Sequence, residues 1–309
     1  MPKLKYSYFE NVYKTLWIKR LIPILKRILK DKPNFFLKIN DVISHRPLID
    51  GTYEPSLKAL YTSLGRNGFN DFYIDIGANV GLSSALVSEE FKQFFLFEPN
   101  PLIFKILEVN SYLNFKSESY HLFNYGLGSH DDNIVISIPR NNWGGGVVDS
   151  SDNHYDKSLL TGKDGFNKVD NNNYIKLNAE IKKTDKEIRK IMLSVKEQGL
   201  KSGVIKIDVE GFEEVVINGI SSVIPDDFSV VIIFENWSKK FNLKGTINSF
   251  GNRIDAYKLH RDSKKSWPRL AKGLFLLFGG KYSYSLKKID SNSNIVGDLV
   301  YHIKPTTEN

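Results

Sequence analysis

Five short runs constrain the fold of this chain more than any other feature: "FYIDI" (72–76), "FFLFE" (94–98), "YHLFN" (120–124), "VIKIDV" (204–209) and "VVIIFE" (230–235). Each is apolar almost throughout instead of alternating, which is how a strand reads when both faces of its sheet are covered. Covering both faces of a parallel sheet takes helical crossovers, so the expected class is α/β, a doubly wound and mostly parallel Rossmann-like sheet. Two more runs, "YSYSL" (282–286) and "NIVGDLVYHI" (294–303), flank a turn-rich "DSNSN" and are expected to form a C-terminal antiparallel hairpin closing that sheet. With 309 residues, 41% of them hydrophobic, the chain can bury one substantial core. That core is assigned to residues 51–309, behind a basic helical extension over 1–50.

Between the third and fourth runs lies a long insertion, about 140–203. It holds a glycine-rich loop "NNWGGGVVDSS", a polar tract "KDGFNKVDNNNY", and a segment near 181–199 in which Ile181, Ile188, Met192 and Val195 share one helical face. Charge is unevenly placed: residues 1–50 carry +7, residues 255–288 carry +7, and the remainder carries −6. The first segment reads as basic amphipathic helices, with Leu25, Ile28 and Leu29 at helical spacing, a kink or restart at Pro23 and an end at Pro33. A solvated surface, contact with an anionic membrane through residues 1–32 and 257–288, and nucleic-acid binding all compete to explain the basic flanks. Nucleic acid is disfavoured, because the centre of the chain, where the candidate site lies, is acidic.

The chain has no cysteine, which excludes disulfides, thiolate metal sites and cysteine nucleophiles and fits a reducing compartment. No apolar run approaches the roughly 18–20 residues of a membrane span, and the first residues lack the order of a signal peptide, so a cytoplasmic protein is expected.

The first strand runs into "YIDIGANVGLSSA" (73–85). Asp75 ends the strand, Gly77, Asn79 and Gly81 form a turn in which the backbone can approach a ligand, and a helix follows. The dinucleotide fingerprint G-x-G-x-x-G is not met, and an acid beside a pyrophosphate would be repulsive, whereas it would suit an ammonium group. Glu98, 21 residues after Gly77, stands where a carboxylate accepts hydrogen bonds from ribose hydroxyls. S-adenosyl-L-methionine offers that inventory, with an ammonium, a ribose diol and no phosphate. On the loop alone, another nucleotide or an ordinary strand-to-helix turn stays open.

The second motif is "VIKIDVEGFEEVVINGI" (204–220), with Asp208 at the end of the fourth strand, Glu210 just beyond, and Glu213 and Glu214 suited to open a helix. Together with "FLFEPNP" and "VVIIFEN", these motifs resemble the FkbM family of class I, adenosylmethionine-dependent methyltransferases, over about residues 71–236. The resemblance implies that Asp75, Gly77, Asn79 and Gly81 shape the methionine side of the cofactor site, that Glu98 binds the ribose, and that Asn124 reaches the adenine amino group. It also implies acceptors such as hydroxyls of sugars or secondary metabolites, hence a saccharide or glycolipid partner.

For an O-methyl transfer the protein must align a hydroxyl and take its proton. Asp208, Glu210 and Glu235 are the candidate bases; His45, His121, His130, His154, His260 and His302 are weaker ones. The carboxylates are oxygen ligands of the kind Mg²⁺ accepts, but nothing in their spacing demands a metal, and none is assigned. Trp143 to Gly146 is expected to form a mobile rim over the acceptor, its indole free to stack on a sugar. Competing functions are a polyketide-type small-molecule O-methyltransferase, a non-catalytic methyltransferase-like binding module, and a nicotinamide-dependent oxidoreductase. Asp75→Ala and Glu98→Ala are each expected to abolish adenosylmethionine binding and leave the fold intact.

Overall fold

A computed structural model describes residues 54–148, 172–209, 211–237, 241–261, 283–290 and 295–306, with isolated residues between 20 and 52 and at 170, 268 and 271. Nearly all of the expected N-terminal amphipathic helices, most of the polar tract in the insertion, His45, His154, Glu210 and nearly all of residues 262–282 in the basic C-terminal flank lie outside them.

The chain enters through helix α1 (Pro55–Arg66) and builds a mostly parallel sheet from β1 (Phe72–Ile76), β2 (Gln93–Phe97), β3 (Tyr120–Phe123), β8 (Ser202–Ile207) and β9 (Ser229–Asn236). All five apolar runs are strands of that sheet. Helix α2 (Leu82–Ala85) follows β1, and α3 (Pro101–Asn114) follows β2. The start of α3 is written in the sequence: the Asn100 side chain caps Leu102 and Ile103, and Pro101 supplies the preset first-turn φ. Helix α4 (Thr184–Glu197) lies within the insertion, and α5 (Glu213–Ser221) and α6 (Leu243–Asn248) follow it.

Side chains alternate between two covered faces, which is why the strands read as apolar throughout. Phe72, Ile74 and Ile76 of β1 join Ile188 and Met192 of α4 and Val216 and Ile217 of α5 in one core. Tyr73 turns the other way, to Leu57 and Tyr61 of α1 and Leu107 of α3. Position 75 falls on this second face, and so does position 206, directly opposite it in the parallel β1–β8 register. Both positions carry charge inside an otherwise apolar layer.

Two expectations change. The C-terminal strands β11 (Tyr284–Lys288) and β12 (Gly297–Ile303) are antiparallel members of the sheet but do not pair with each other, because β10 (Ile254–Arg261) stands between them. The order across the sheet is β11-β10-β12-β9-β8-β1-β2-β3. The sequence hides β10 because its pattern, "IDAYKLHR", mixes charge into every second or third position, as a strand near a solvated edge does. The insertion, in turn, holds strands β6 (Val147–Val148) and β7 (Tyr174–Lys183) besides α4, and with β4 (Gly126–Gly128) and β5 (Asp132–Pro139), which precede it, these form a separate sheet in the order β4-β7-β5-β6. Ile181 therefore sits on β7 and packs on Gly126 and Gly128, while Ile188, Met192 and Val195 do line the buried face of α4.

Candidate active site

The site lies where the C-terminal ends of β1, β2 and β8 meet the second sheet, the edge at which open parallel sheets bind ligands. Here lies a partly open crevice with a cavity volume of about 100 Å³. Gly77, Glu98, Asn100 and Asp208 line it from the main sheet, and Leu127, Ile136 and Ile181 from the smaller one.

The loop after β1 needs its small residues. Gly77 (φ 83°), Asn79 (φ 52°) and Gly81 (φ 82°) all adopt the left-handed region, at every second position. A side chain on Gly77 would collide with the Asp208 carbonyl oxygen, so the two sequence motifs are in backbone contact. The loop is then tied from three directions. Gly77 and Ala78 donate their N–H groups to the Phe97 carbonyl at 3.0 and 2.9 Å. Asn79 N–H donates to Glu98 Oε2 at 2.9 Å. Buried Asn110 donates from Nδ2 to the Val80 carbonyl at 2.8 Å and exchanges two further hydrogen bonds with the backbone of Phe36.

Glu98 is 8% exposed, and its second oxygen accepts from Asn100 N–H at 2.8 Å. Burial pushes its carboxyl up to about 7, against the lowering effect of those two backbone N–H bonds. Each oxygen accepts one backbone donor and keeps a lone pair, so a pair of hydroxyls is a fitting complement. Asn124 is exposed at the end of β3, and its Nδ2 donates to the Glu98 backbone carbonyl at 2.9 Å, fixing the chain behind the carboxylate.

Asp75 stands differently from the expectation. It is fully enclosed, with Oδ1 on Lys206 Nζ at 2.9 Å and Oδ2 accepting from the hydroxyls of Ser84 and Ser83. Its charge is met inside the protein, so it shapes the ligand site through the loop and not by touching an ammonium. Asp75→Ala would remove the nearest partner of the buried Lys206 ammonium, so a loss of stability is expected beside any effect on the ligand.

Lys206 is the residue that sequence reading passed over. Its ammonium, 5% exposed, reaches Asp75 Oδ1, the Gly77 carbonyl at 3.3 Å and Asp208 Oδ2 at 3.3 Å. Burial works against the charge, but Asp75 and Asp208 outweigh it and hold the ammonium protonated. The signal was present, since a lysine inside a strand buried on both faces must have a partner.

Asp208 is the exposed member of this group, its side chain 54% accessible. Glu235, near the end of β9, lies opposite Asp298 of β12 in the antiparallel register, like charge facing like charge. Glu54, which precedes α1, belongs to the same edge: burial first, then Asp208, raises its carboxyl to about 7, with Glu235 and Asp298 adding to the effect. Burial and Asp208 raise Asp298 as well. Neither Glu54 nor Asp298 stands in a recognisable motif, so only the fold could bring them here. Trp143 is partly buried, packed against the cluster of Val80, Leu82 and Ile103 and against that of Ile136, Ile138 and Ala179. Its carbonyl accepts from Asn100 Nδ2 at 2.9 Å, and Gly144 is pressed on the Asn79 side chain, so this loop roofs the crevice at the cofactor loop.

A mostly parallel sheet with an antiparallel strand inserted beside β9, a glycine loop after β1 and a buried acid after β2 define a Rossmann-like methyltransferase. Residues 75–257 match the family described as Methyltransferase FkbM domain, and the chain belongs to that family. "Methyltransferase sdnD" of Sordaria araneosa is 26% identical over 178 residues, which make up 54% of this chain and 67% of that protein. Among solved structures, a precorrin-6y C5,15-methyltransferase from Geobacter metallireducens GS-15 aligns with TM-score 0.40 and 10% identity over 88% of this chain and 95% of its own. The tRNA (m1A58) methyltransferase TrmI of Aquifex aeolicus aligns with TM-score 0.38 and 11% identity, over 92% and 76%. The protein is an S-adenosylmethionine-dependent methyltransferase, and the loop of left-handed positions and the buried Glu98 fit that cofactor.

Proposed function

We propose that the methyl acceptor is a hydroxyl oxygen, on a sugar of a glycan or of its lipid- or nucleotide-linked precursor. The observation that carries this reading is the carboxylate edge: Asp208 at the mouth of the crevice, with Glu235, Asp298 and Glu54 around it. Carboxylates accept hydrogen bonds and donate none when ionised, so such an edge is matched to a polyol, whose hydroxyls are donors. It also repels an anionic acceptor at the point of reaction.

Adenosylmethionine supplies an electrophilic methyl group on a sulfonium. Gly77, Asn79 and Gly81 would hold its methionine part through backbone contacts, and Glu98 its ribose. Asp208 is assigned the acceptor hydroxyl and its proton; Glu235 is a second candidate on the next strand, and Glu210 a third. A positioned base of this kind contributes about 10²–10⁴-fold to rate.

The test is transfer of a labelled methyl group from adenosylmethionine to a panel of free sugars, oligosaccharides and phenolic or polyketide alcohols. The expected product is a sugar ether, stable to mild base and 14 mass units (about one CH₂) heavier than the acceptor. Label appearing only on amines, carboxylates or non-sugar alcohols would overturn the saccharide reading. Asp208→Asn should lower kcat by about 10²–10⁴-fold with KM for adenosylmethionine little changed.

A further inference from the structure

We propose that Lys206 is a positioning residue, which locks the first turn of the cofactor loop and the acceptor-edge acid Asp208 into one register; this rests on the crevice being the adenosylmethionine site. Three observations carry it. Asp75 and Lys206 are register partners across β1 and β8, so their ion pair is set by strand alignment and not by side-chain chance. The ammonium has three donors, and three acceptors surround it: Asp75 Oδ1 at 2.9 Å, the Gly77 carbonyl at 3.3 Å and Asp208 Oδ2 at 3.3 Å. Those acceptors belong to the end of β1, the cofactor loop and the acceptor edge, which nothing else in this group joins through one atom.

A bare counter-ion to Asp75 would need only the first of these contacts. The Gly77 carbonyl is the contact that bears on the cofactor, because Gly77 is left-handed and lies against the Asp208 backbone. Release of that carbonyl frees the peptide that turns the loop toward the crevice. The Asp208 contact bears on the acceptor, because it fixes a side chain that is otherwise more than half exposed. Lys206 thereby makes the geometry of the two half-sites interdependent, although it faces neither ligand.

The decisive comparison is Asp75→Asn against the double variant Asp75→Asn/Lys206→Met. Asparagine removes the acid yet still offers Lys206 an acceptor, so the contacts to Gly77 and Asp208 survive in the single variant. If Lys206 merely neutralises Asp75, its removal after Asp75 is already neutral costs nothing. We expect the double variant to bind S-adenosylhomocysteine at least tenfold more weakly than Asp75→Asn by calorimetry. Equal affinity in the two would overturn the proposal.

A measurement on the unaltered protein covers the case in which the double variant does not fold. In ¹⁵N-lysine spectra, the Lys206 ammonium should appear as a slowly exchanging signal that moves when S-adenosylhomocysteine is added. A signal that stays unmoved at saturation would overturn the proposal. A wild-type protein that binds no S-adenosylhomocysteine would instead overturn the crevice assignment, and this proposal with it.

Discussion

The two halves of the active-site crevice are built on opposite principles. On the cofactor half, the key polar groups are held: Glu98 accepts two backbone N–H groups, Asp75 is enclosed by Lys206 and two serines, and Asn79 is fixed at its backbone. On the acceptor half, Glu235 and Asp298 face each other across a strand pair, Glu54 adds a third carboxylate, and Asp208 stands open to solvent on one side. The cofactor half is a mould made largely of backbone, and the acceptor half is a charged surface made of side chains from four elements. A fixed ligand rewards a rigid mould. A reacting hydroxyl needs acceptors that remain available, and keeping carboxylates close together is costly in stability even with Lys206 and Lys258 nearby.

The largest test of this contrast is Asp75→Ala. If the acid is structural, its removal leaves a buried ammonium without its strongest partner, and urea unfolding should show a loss of about 3–5 kcal/mol. An unchanged midpoint would mean that the cofactor half is not closed as described. Next comes Gly77→Ala, which adds backbone strain of about 1–3 kcal/mol to a steric clash with the Asp208 carbonyl. Calorimetry should then detect no S-adenosylhomocysteine binding, and retained affinity would show that the loop can relax.

Glu98→Gln is expected to weaken S-adenosylhomocysteine by about 10- to 100-fold, or roughly 1.4–2.8 kcal/mol, through the loss of a charged acceptor for hydroxyl donors. The same residue predicts a pH dependence. Burial raises the Glu98 carboxyl to about 7, and bound hydroxyls favour its ionised form, so affinity should fall about tenfold per pH unit below 7. Stability of the ligand-free protein runs the other way. The folded state holds the proton to a higher pH than the unfolded chain does, so stability is lost as pH rises from about 4.5 to 7, and Glu54 adds to the same window. Titration calorimetry from about pH 5.5 to 8 checks the affinity, with Glu98→Gln binding with little pH dependence, and urea unfolding of the ligand-free protein between about pH 4.5 and 7 checks the stability.

The smallest effect is on the acceptor half. Asp298→Asn removes a half-buried carboxylate that stands opposite Glu235 in register and is raised by burial and by Asp208, with Lys258 opposing, and should stabilise the fold by about 0.2–1 kcal/mol in thermal unfolding. Destabilisation instead would mean that the carboxylates there are compensated and that the comparison of the two halves is overdrawn.

Much of the cofactor half was legible in the sequence because it is local. Continuous apolar runs announce strands buried on both faces, and Gly77, Asn79 and Gly81 stand at the three positions where the backbone turns left-handed. Glu98 stands directly after its strand. None of this needs knowledge of what packs against what. The acceptor half was legible only at Asp208 and Glu235, the acids that lie at strand ends.

What the tertiary structure alone decided is everything that depends on alignment between distant segments. The register of β1 against β8 turned Asp75 from a ligand contact into half of a buried pair and brought Lys206 to the centre of the site. The insertion of β10 between β11 and β12 replaced a local hairpin with a longer crossing, and packing on two apolar clusters left Trp143 partly buried. Glu54 and Asp298 joined the acceptor edge from opposite ends of the chain. Periodicity and backbone handedness are properties of neighbouring residues, so the sequence by itself carries them. Register and charge convergence arise from hydrogen bonding and packing between segments far apart in the chain, and they exist only once the sheet has formed.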